Sequence, residues 1–537
     1  MKFRTLLFCS AMMAVASAIP ANAAHLRIGL SSEPTSTDPH YHDLGPNNAL
    51  ALQIYATLTA RDKNQNVQPS LAETWTNTDD TTWVFNLRKG VKFSDGSDFN
   101  ADDVIYSFCR IMNNESSVAG SFQGYIKNMA SVEAPDPYTI QIKTKTVDPL
   151  MAEKLESVYI ISDTTAEHGK IVFDEGYKCG VTGNWPSLED FNSGKAAIGT
   201  GPFVLKNFTK GSKIELARNP NFYGEPAAWD TVDMIPVPSA GPRLAGLLSG
   251  DYDLIESPSA RDIKRIEDDQ NLTYTSMSSN RVIFMQMDVG RDKSPLIKTE
   301  DGSNPFQDIR VRRAASMAID RKAIVDRVMN GFAVPANQFA PPVLFGALED
   351  APDLEYNPEK AKKLLAEAGY PNGFELTLSA TNDRYINDSQ VAQAVAQFLT
   401  RVGIKTNVDA MTRSLFFTRR SKREFSFSMG GWGSTNGGAE HFLRQYVTTY
   451  NKDLGIGASN YGRWSDPEFD KVLIEELHTV DPAKRKELLH KAGEMALDKL
   501  GFLPLHFEST LWAFKKTVQY DGRMDQYTLA YDIHPAD

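Results

Sequence analysis

The chain has 537 residues, of which 41% are hydrophobic and 23% are charged, and its formal net charge is −11. A chain of this length exceeds what one hydrophobic core holds, so two or more domains are expected. The acidic balance argues against nucleic acid or an anionic membrane surface as the main partner.

The N-terminal segment, residues 1–23, has the pattern of a secretory signal peptide. Lys2 and Arg4 precede the mostly apolar stretch 6–19, which is shorter than a bilayer span, and residues 21–23 (Ala-Asn-Ala) form a small-x-small cleavage site. No later stretch has the apolar length of a membrane span. The sequence therefore predicts a soluble protein of a bacterial periplasm.

Two cysteines remain after cleavage, Cys109 and Cys179. An oxidising compartment permits a disulfide between them. Two buried free thiols are the alternative, because the sequence does not give the Cα–Cα distance that a bridge requires.

The first half of the chain predicts strands and helices in mixed order. Residues 25–30 are strand-like, and the stretch 47–58 carries a helical apolar pattern. Apolar and polar side chains alternate over residues 83–88, which predicts another strand. Asn100 then has the position of an N-cap, followed by two aspartates in the first turn of a helix.

The second half predicts long helices. One is expected over residues 309–328. Another follows Asn357 as its N-cap, with Pro358 at the first helical position and Gly369 at the end.

A βαβ unit is predicted next in the chain. It consists of the strand 374–380, a helix over residues 391–402 and the strand 403–410. Such units close with a right-handed crossover, and ligands lie beyond the carboxyl ends of their strands. The fold class predicted for this half is therefore α/β.

Motifs that mark common enzymes are absent from the sequence. There is no Gly-x-Ser-x-Gly elbow, phosphate loop, His-Glu-x-x-His or Cys-x-x-Cys, and the glycine pattern at 431–436 lacks the third glycine of a dinucleotide site. His40 and His42 lie two positions apart and could meet a metal, although a surface polar role is the commoner case. We therefore expect no catalytic residue, metal or cofactor, with a secreted hydrolase as the alternative from another class.

Short motifs follow one another in a set order along the mature chain. They are Thr37–His40 (TDPH), Leu71–Trp75 (LAETW), Phe85–Gly96 (FNLRKGVKFSDG), Ala101–Val104 (ADDV), Gly199–Phe203 (GTGPF), Arg218–Gly224 (RNPNFYG), Asp308–Arg321 (DIRVRRAASMAIDR), Ala361–Gly369 (AKKLLAEAG) and the Gly431-Trp432 pair. Together they resemble the solute-binding proteins of bacterial ABC importers in the oligopeptide- and dipeptide-binding class, the extracellular solute-binding proteins of family 5. This resemblance implies a type II periplasmic-binding-protein fold, with two α/β lobes, a hinge and an extra α/β domain.

The resemblance also implies domain boundaries and partners. Lobe one would comprise residues 24–58, 196–280 and 505–537, the extra domain residues 59–195, and lobe two residues 281–504. A solute would bind between the lobes, and the closed form would dock on permease subunits in the inner membrane. The implied partners are thus a small solute and a permease, without nucleic acid, and the protein is expected to be a monomer.

The glycine-rich loop after residue 429 supplies the first candidate ligand contacts, which are Trp432, Gly433, Thr435, Asn436 and Glu440. In peptide-binding members of the family, an acid after the Gly-Trp pair takes the α-ammonium of the peptide, and its position here is Thr435. A buried ammonium without a partner costs several kcal/mol. Either Glu440 or Asp409 substitutes, or the solute presents no amine there, or Thr435 only shapes the loop and the ammonium meets water.

Arg384 is the candidate for the opposite pole of the solute. It lies in the loop 381–388 and resembles the arginine that grips a dipeptide's carboxylate, a bidentate and directional contact. A solvated loop arginine is the alternative. Trp432 would be an aromatic wall of the cleft, or else a core residue. Further cleft-lining candidates are Tyr41, His42, Met285 and Gln286.

The predicted function is therefore binding of a short peptide or peptide-like solute for import. Glutathione or an opine would fit this description. An oligosaccharide, a metal chelate or haem is the alternative solute for the same fold.

Overall fold

The structure is a computed structural model that describes residues 24–114, 120–174, 176–434, 436–452 and 454–536. The predicted signal peptide lies outside these ranges. Among the described residues, no helix combines the length and apolar character that a membrane span requires.

The structure alternates strands and helices along most of the chain. The strands are β1 (His25–Leu30), β2 (Ala56–Thr57), β3 (Thr59–Arg61), β4 (Val67–Pro69), β5 (Ala72–Asp79), β6 (Thr82–Leu87), β7 (Met129–Asp136), β8 (Thr139–Thr144), β9 (Tyr159–Ile160), β10 (Phe203–Thr209), β11 (Lys213–Arg218), β12 (Thr231–Pro236), β13 (Leu254–Glu256), β14 (Leu272–Met287), β15 (Ile297–Lys298), β16 (Ala333–Pro335), β17 (Phe374–Thr381), β18 (Ile404–Met411), β19 (Phe427–Gly433), β20 (Phe502–Lys515), β21 (Val518–Gln519) and β22 (His534–Pro535). The helices are α1 (Gly45–Ile54), α2 (Ala101–Met112), α3 (Gly120–Ile126), α4 (Met151–Leu155), α5 (Leu188–Asn192), α6 (Ala240–Ser249), α7 (Ile263–Glu267), α8 (Ile309–Ala318), α9 (Arg321–Ala323), α10 (Pro358–Glu367), α11 (Asp388–Arg401), α12 (Arg413–Ser421), α13 (Glu440–Phe442), α14 (Pro467–Leu477) and α15 (Pro482–Lys499).

The names lobe one, lobe two and extra domain are used below for the residue ranges expected from the sequence. A central sheet of 12 strands has members in both lobes, in the order β10-β11-β12-β1-β13-β20-β14-β19-β17-β15, with β16 beside β20 and β18 beside β17. A separate antiparallel sheet, β5-β6-β8-β7, belongs to the extra domain. The expected lobe boundaries at 280/281 and 504/505 fall inside the two long strands β14 and β20. These strands pair antiparallel along most of their length, so they form the connection between the lobes.

Burial of both faces of β14 explains why the sequence near its C-terminal end is a nearly continuous apolar run. Ile283 and Met285 belong to one buried cluster of lobe two, whereas Val282 and Phe284 belong to a second cluster. Because both faces of the strand are covered, successive residues of either parity are apolar. A further buried cluster joins lobe one to the extra domain.

Local sequence signals set several helix ends as expected. Asn100 accepts a hydrogen bond from the Asp102 backbone N–H, and Asp103 completes a capping box at the start of α2. Asn357 caps α10 by accepting a hydrogen bond from the Lys360 backbone N–H, with Pro358 at the first position. Gly369 follows that helix with a φ of 97°, a left-handed conformation that favours glycine.

The helix predicted over residues 309–328 is interrupted, which corrects that expectation. α8 ends at Ala318, and Ile319 is extended with φ −90° and ψ 116°. The Asp320 side chain then accepts a hydrogen bond from the Ala323 backbone N–H and starts α9. A carboxylate that takes a backbone donor in this way begins a new helix in place of continuing the old one.

Cys109 and Cys179 form a disulfide, with Cα atoms 6.3 Å apart. This separation lies within the range that a bridge requires. Of the two alternatives that the sequence left open, the structure therefore has the bridge. It ties α2 to a loop of the extra domain.

Candidate functional site

A cavity of about 470 Å³ lies where lobe one, the extra domain and lobe two meet. Its size is that of a site for a small molecule. The wall is rich in aromatic residues and charges, which are Tyr55, Tyr125, Tyr159, Tyr223, Tyr527, Tyr531 and Phe222, together with Asp43, Glu156, Asp525, Asp532, Arg61, Arg281 and Arg523. The sequence patterns identified none of these residues, because they come from distant segments that only the fold brings together.

One of three neighbouring parallel strands of lobe two, β19, ends beside this cavity. β17 pairs in parallel with both β18 and β19. The carboxyl end of β19 reaches the wall through Gly433 and Ser434. This arrangement agrees with the expectation that ligands lie beyond the carboxyl ends of parallel strands.

The glycines of the Gly-Trp loop allow close packing of neighbouring elements. A Cβ atom at Gly431 would lie 2.6 Å from the Tyr385 ring, and one at Gly433 would lie 2.9 Å from the Asn280 side-chain oxygen. The Tyr385 hydroxyl also donates a hydrogen bond to the Gly431 carbonyl, at 3.2 Å. At least part of the reason for these glycines is therefore the packing of β19.

Trp432 is partly buried against the second core cluster of lobe two. Its ring meets His441 and Tyr446 edge-on, with centroids 5.0 and 5.2 Å away. It is not part of the cavity wall. Of the two roles considered for this residue, the packing agrees with the core role.

The two acids considered as substitutes at the Gly-Trp loop are already engaged with other side chains. Glu440 is fully buried, accepts a hydrogen bond from the Asn436 amide and lies 3.5 Å from the Arg444 guanidinium. Asp409 accepts a hydrogen bond from Arg419 at 2.9 Å. Neither lines the cavity.

Asn436 and Thr435 are the remaining candidates of the Gly-Trp loop. The Asn436 backbone carbonyl accepts a hydrogen bond from Arg61 of the extra domain, at 2.6 Å. This contact joins lobe two to the extra domain beside the cavity. Thr435 lies outside the described residues.

Arg384 is exposed in the loop after β17. Asp388 holds this loop by accepting hydrogen bonds from the backbone N–H groups of Arg384 and Tyr385 and from the Thr381 hydroxyl. No acidic side chain within the described ranges forms an ion pair with the guanidinium, whose pKa is lowered by desolvation and then by the charge of Arg281. An exposed guanidinium without an ion-pair partner is available to an anion.

The remaining cleft candidates lie away from the cavity wall. Met285 is fully buried in the lobe-two core, and the buried Gln286 amide donates a hydrogen bond to the Ser459 carbonyl, so both point into packed protein because β14 is covered on both faces. Tyr41 and His42 are half-buried and pack edge-to-face on each other. From this loop it is the next residues, Asp43 and Gly45, that line the cavity.

His40 packs inside the protein. Its Nε2 atom lies 2.7 Å from the Tyr159 carbonyl oxygen, and burial lowers the pKa of the ring to about 3. Among the described residues, no group of three His, Cys, Asp or Glu side chains could hold a metal ion.

Comparison with known proteins decides the family. Residues 66–454 match the model for bacterial extracellular solute-binding proteins, family 5 Middle. The chain belongs to this family. Its α/β architecture is the type II periplasmic-binding-protein fold, as the sequence predicted.

Relatives with similarity over most of their length bind different solutes. The chain is 30% identical over 481 residues to heme-binding protein A of Haemophilus influenzae, covering 85% of this chain and 82% of the relative. It is 26% identical over 539 residues to di/tripeptide-binding protein 1 of Pseudomonas aeruginosa, covering 96% and 95% of the two chains. The solved structure of HbpA2 from Haemophilus parasuis superposes with a TM-score of 0.79 at 25% identity, covering 96% of this chain and 100% of HbpA2.

Proposed function

We propose that this protein is the substrate-binding component of an ABC importer and that it binds a short peptide or peptide-like solute, of which glutathione and opines are examples. It acts in the periplasm after removal of residues 1–23. The observation that carries this proposal is the cavity between the lobes, whose wall bears charges of both signs among tyrosine rings. A peptide carries an ammonium and a carboxylate, so it needs both signs of charge in one site.

The proposed pole for the carboxylate is Arg384. Its guanidinium has no acidic partner within the described ranges, and Arg281 lies close enough to affect its pKa. Arg281 also lines the cavity, so the two arginines connect the cavity with the carboxyl ends of the lobe-two strands. A carboxylate held by guanidinium groups forms short, directional hydrogen bonds.

Transport requires that the bound form differ from the free form. A ligand shifts the balance between open and closed lobes only by its higher affinity for the closed form. A solute that touches lobe one, the extra domain and lobe two at once has this property. The closed, monomeric protein then docks on the permease and has no catalytic activity of its own.

Haem is the second candidate solute. The 30% identical relative named heme-binding protein A favours it. The cavity wall also carries tyrosines, one of the residue types that hold haem iron in proteins. A peptide remains the first candidate because charges of both signs suit a zwitterion.

The test is to identify what the protein carries when it is purified from the periplasm. Mass spectrometry of the released small molecules should show short peptides or glutathione-like compounds. Calorimetry with Ala-Ala, Ala-Ala-Ala, glutathione and haem then ranks the classes. Binding of haem with no binding of any peptide would contradict the proposal, and so would turnover in a broad hydrolase assay.

A further inference from the structure

Asp43 stands on the lobe-one wall of the cavity, on the loop just before α1. We propose that Asp43 binds a primary amine of the solute. This inference rests on the proposed function, because it needs a solute that carries an amine. The ligand class is thus narrowed to peptides or amino-acid derivatives with a free amino group.

The ion pairs around the cavity leave Asp43 as the acid in its wall without a cationic partner. Arg523 donates hydrogen bonds to both Asp525 and Asp532, at 2.8 and 3.0 Å. The Arg61 guanidinium lies 3.5 Å from Glu156. Within the described ranges, no lysine, arginine or histidine forms an ion pair with Asp43.

The third arginine of the wall also has its acid elsewhere. Arg281 lies 3.3 Å from Glu508, which is nearly buried and is not part of the wall. Each of the other three acids of the wall thus has an arginine partner, with Arg523 shared by Asp525 and Asp532, whereas Asp43 has none in the described part of the chain. A cation that enters the cavity can pair with that carboxylate, since the neighbouring acids already contact an arginine.

The Asp43 carboxylate is held in place by neutral donors. The Asn48 amide donates to Oδ1 at 2.8 Å, and the Tyr125 hydroxyl donates to Oδ2 at 3.0 Å. Each carboxylate oxygen accepts more than one hydrogen bond, so each retains capacity for an ammonium N–H. Asn48 comes from lobe one and Tyr125 from the extra domain, so the orientation of Asp43 depends on both.

The surroundings of Asp43 also suit a cation. Tyr125 and Tyr527 line the same cavity, and the negative faces of aromatic rings attract ammonium groups. Burial and then the charge of Asp43 raise the pKa of Tyr125, so the carboxylate and the phenol are electrostatically close. Both features favour a positively charged group between them.

A purely structural role as a helix cap does not account for Asp43. α1 begins at Gly45 with Leu44 at its N-cap, and no side chain caps its first turn. The hydrogen bonds of the Asp43 carboxylate go to the side chains of Asn48 and Tyr125, with none to a backbone N–H among the described residues. The carboxylate is therefore oriented by side chains at the cavity.

The test compares Asp43→Asn with wild type on matched probes. Calorimetry uses Ala-Ala-Ala against N-acetyl-Ala-Ala-Ala, and glutathione against N-acetylglutathione. Wild type should bind the free amine of at least one pair at least 10-fold more tightly than its acetylated form. Asp43→Asn should lose at least 10-fold for the free amine and bind the acetylated probe as wild type does.

Asp80→Asn is the matched control, because Asp80 is an exposed acid in the turn after β5, away from the cavity. It should behave as wild type with every probe. Tyr125→Phe is a second variant that keeps the carboxylate and removes one donor; it should weaken only the free-amine probe, by a few-fold. Thermal melting checks that each variant is folded.

The outcomes separate the two proposals. Equal affinity of wild type for the free and acetylated probes would overturn the role of Asp43 while leaving peptide binding intact. The role of Asp43 would also be overturned if the folded Asp43→Asn variant still preferred the free amine over its acetylated form. It would likewise be overturned if the variant lost affinity for both probes equally. Wild type that binds no peptide at all would overturn the proposed function, and this inference with it.

Discussion

Single polar side chains in this protein differ sharply in how completely their charge is balanced. Arg110 and Asp38 form two hydrogen bonds, at 2.7 and 2.5 Å, and both side chains are at least 96% buried. Arg384 has no such acid. The exposed Arg384 guanidinium is thus available to a ligand, whereas the charge of the buried Arg110 is used by the fold.

Arg384→Ala should weaken binding of a solute carboxylate by about 2 kcal/mol, or roughly 30-fold in Kd, because one partner of a charge pair is lost. Calorimetry with the best peptide ligand measures this change. Arg401→Gln, another exposed lobe-two arginine without an ion pair among the described residues, is the control and should leave Kd unchanged. Equal affinity of Arg384→Ala and wild type would refute the assignment.

His506 lies fully buried on β20, and neither ring nitrogen has a hydrogen-bond partner in the described part of the chain. Burial lowers its pKa from 6.5 to about 4 in the folded protein. The unfolded chain therefore binds the proton more readily between these values. Stability that is present above pH 6.5 is lost as the pH falls toward 4.

His506→Leu should flatten this part of the pH dependence. Between pH 6.5 and pH 5 the free energy of unfolding should fall by about 1.5 kcal/mol less in the variant than in wild type. Urea unfolding at several pH values measures the difference. His534→Leu removes an exposed histidine and should retain the wild-type slope; a wild-type slope in His506→Leu as well would count against the role of burial.

At the scale of elements, the local signals in the sequence were sufficient where one residue type decides the structure. The βαβ unit is present as β17, α11 and β18, with the predicted parallel pairing. The interruption at Ile319 was missed because a helical apolar period continues across it, and only the Asp320 side chain reveals the break. Hydrophobic periodicity indicates which face of a helix is buried, but it does not indicate that one helix ends and a newly capped helix begins along that face.

The candidate site was predictable only in part, because most of its wall residues come from segments that are distant in sequence. Arg384 was singled out because, in the loop after a predicted strand, it resembles the arginine that grips a dipeptide's carboxylate in the family. Asp43, the six wall tyrosines and Arg523 come from segments far apart in sequence, and no spacing relates them. Met285 was a cleft-lining candidate from the sequence, and its side chain is fully buried because β14 is covered on both faces.

The disulfide is the element-scale feature with a measurable energy. Cys109 and Cys179 are 70 residues apart in sequence. Closing a loop of this length stabilises the folded state by up to about 4 kcal/mol through the entropy of the unfolded chain. The double variant with Cys109→Ser and Cys179→Ser should have a free energy of unfolding lower by up to about 4 kcal/mol than wild type.

Reductant provides the control for this prediction. Wild type unfolded in dithiothreitol should match the double variant, and dithiothreitol should not affect the double variant. Unchanged stability after loss of both cysteines would show that the bridge contributes little to this domain. Peptide affinity should be retained in either case, since neither cysteine lines the cavity.

At the scale of the whole molecule, a cavity built by three domains links binding to their relative arrangement. Lobe two reaches the extra domain through the hydrogen bond from Arg61 to the Asn436 carbonyl and through Arg485, whose guanidinium lies 3.7 Å from Glu153. Of these residues, Arg61 also lines the cavity. Occupancy of the cavity and closure of the lobes should therefore be coupled.

Small-angle scattering should show a smaller radius of gyration when a binding peptide is added. The expected cause is a shift toward the closed form. Arg384→Ala at the same peptide concentration should compact less, and it should reach the wild-type value when the peptide is raised roughly 30-fold. Identical profiles with and without saturating peptide would contradict closure.

The 12-stranded sheet that passes through both lobes has a consequence for how the protein can be divided. β14 and β20 contribute to lobe one near one end and to lobe two near the other. Any fragment cut at the nominal lobe boundaries would expose long unpaired strand edges, which recruit other chains and aggregate. Proteolysis or truncation inside these strands should thus destroy solubility as well as binding, so neither lobe is expected to stay folded without the other.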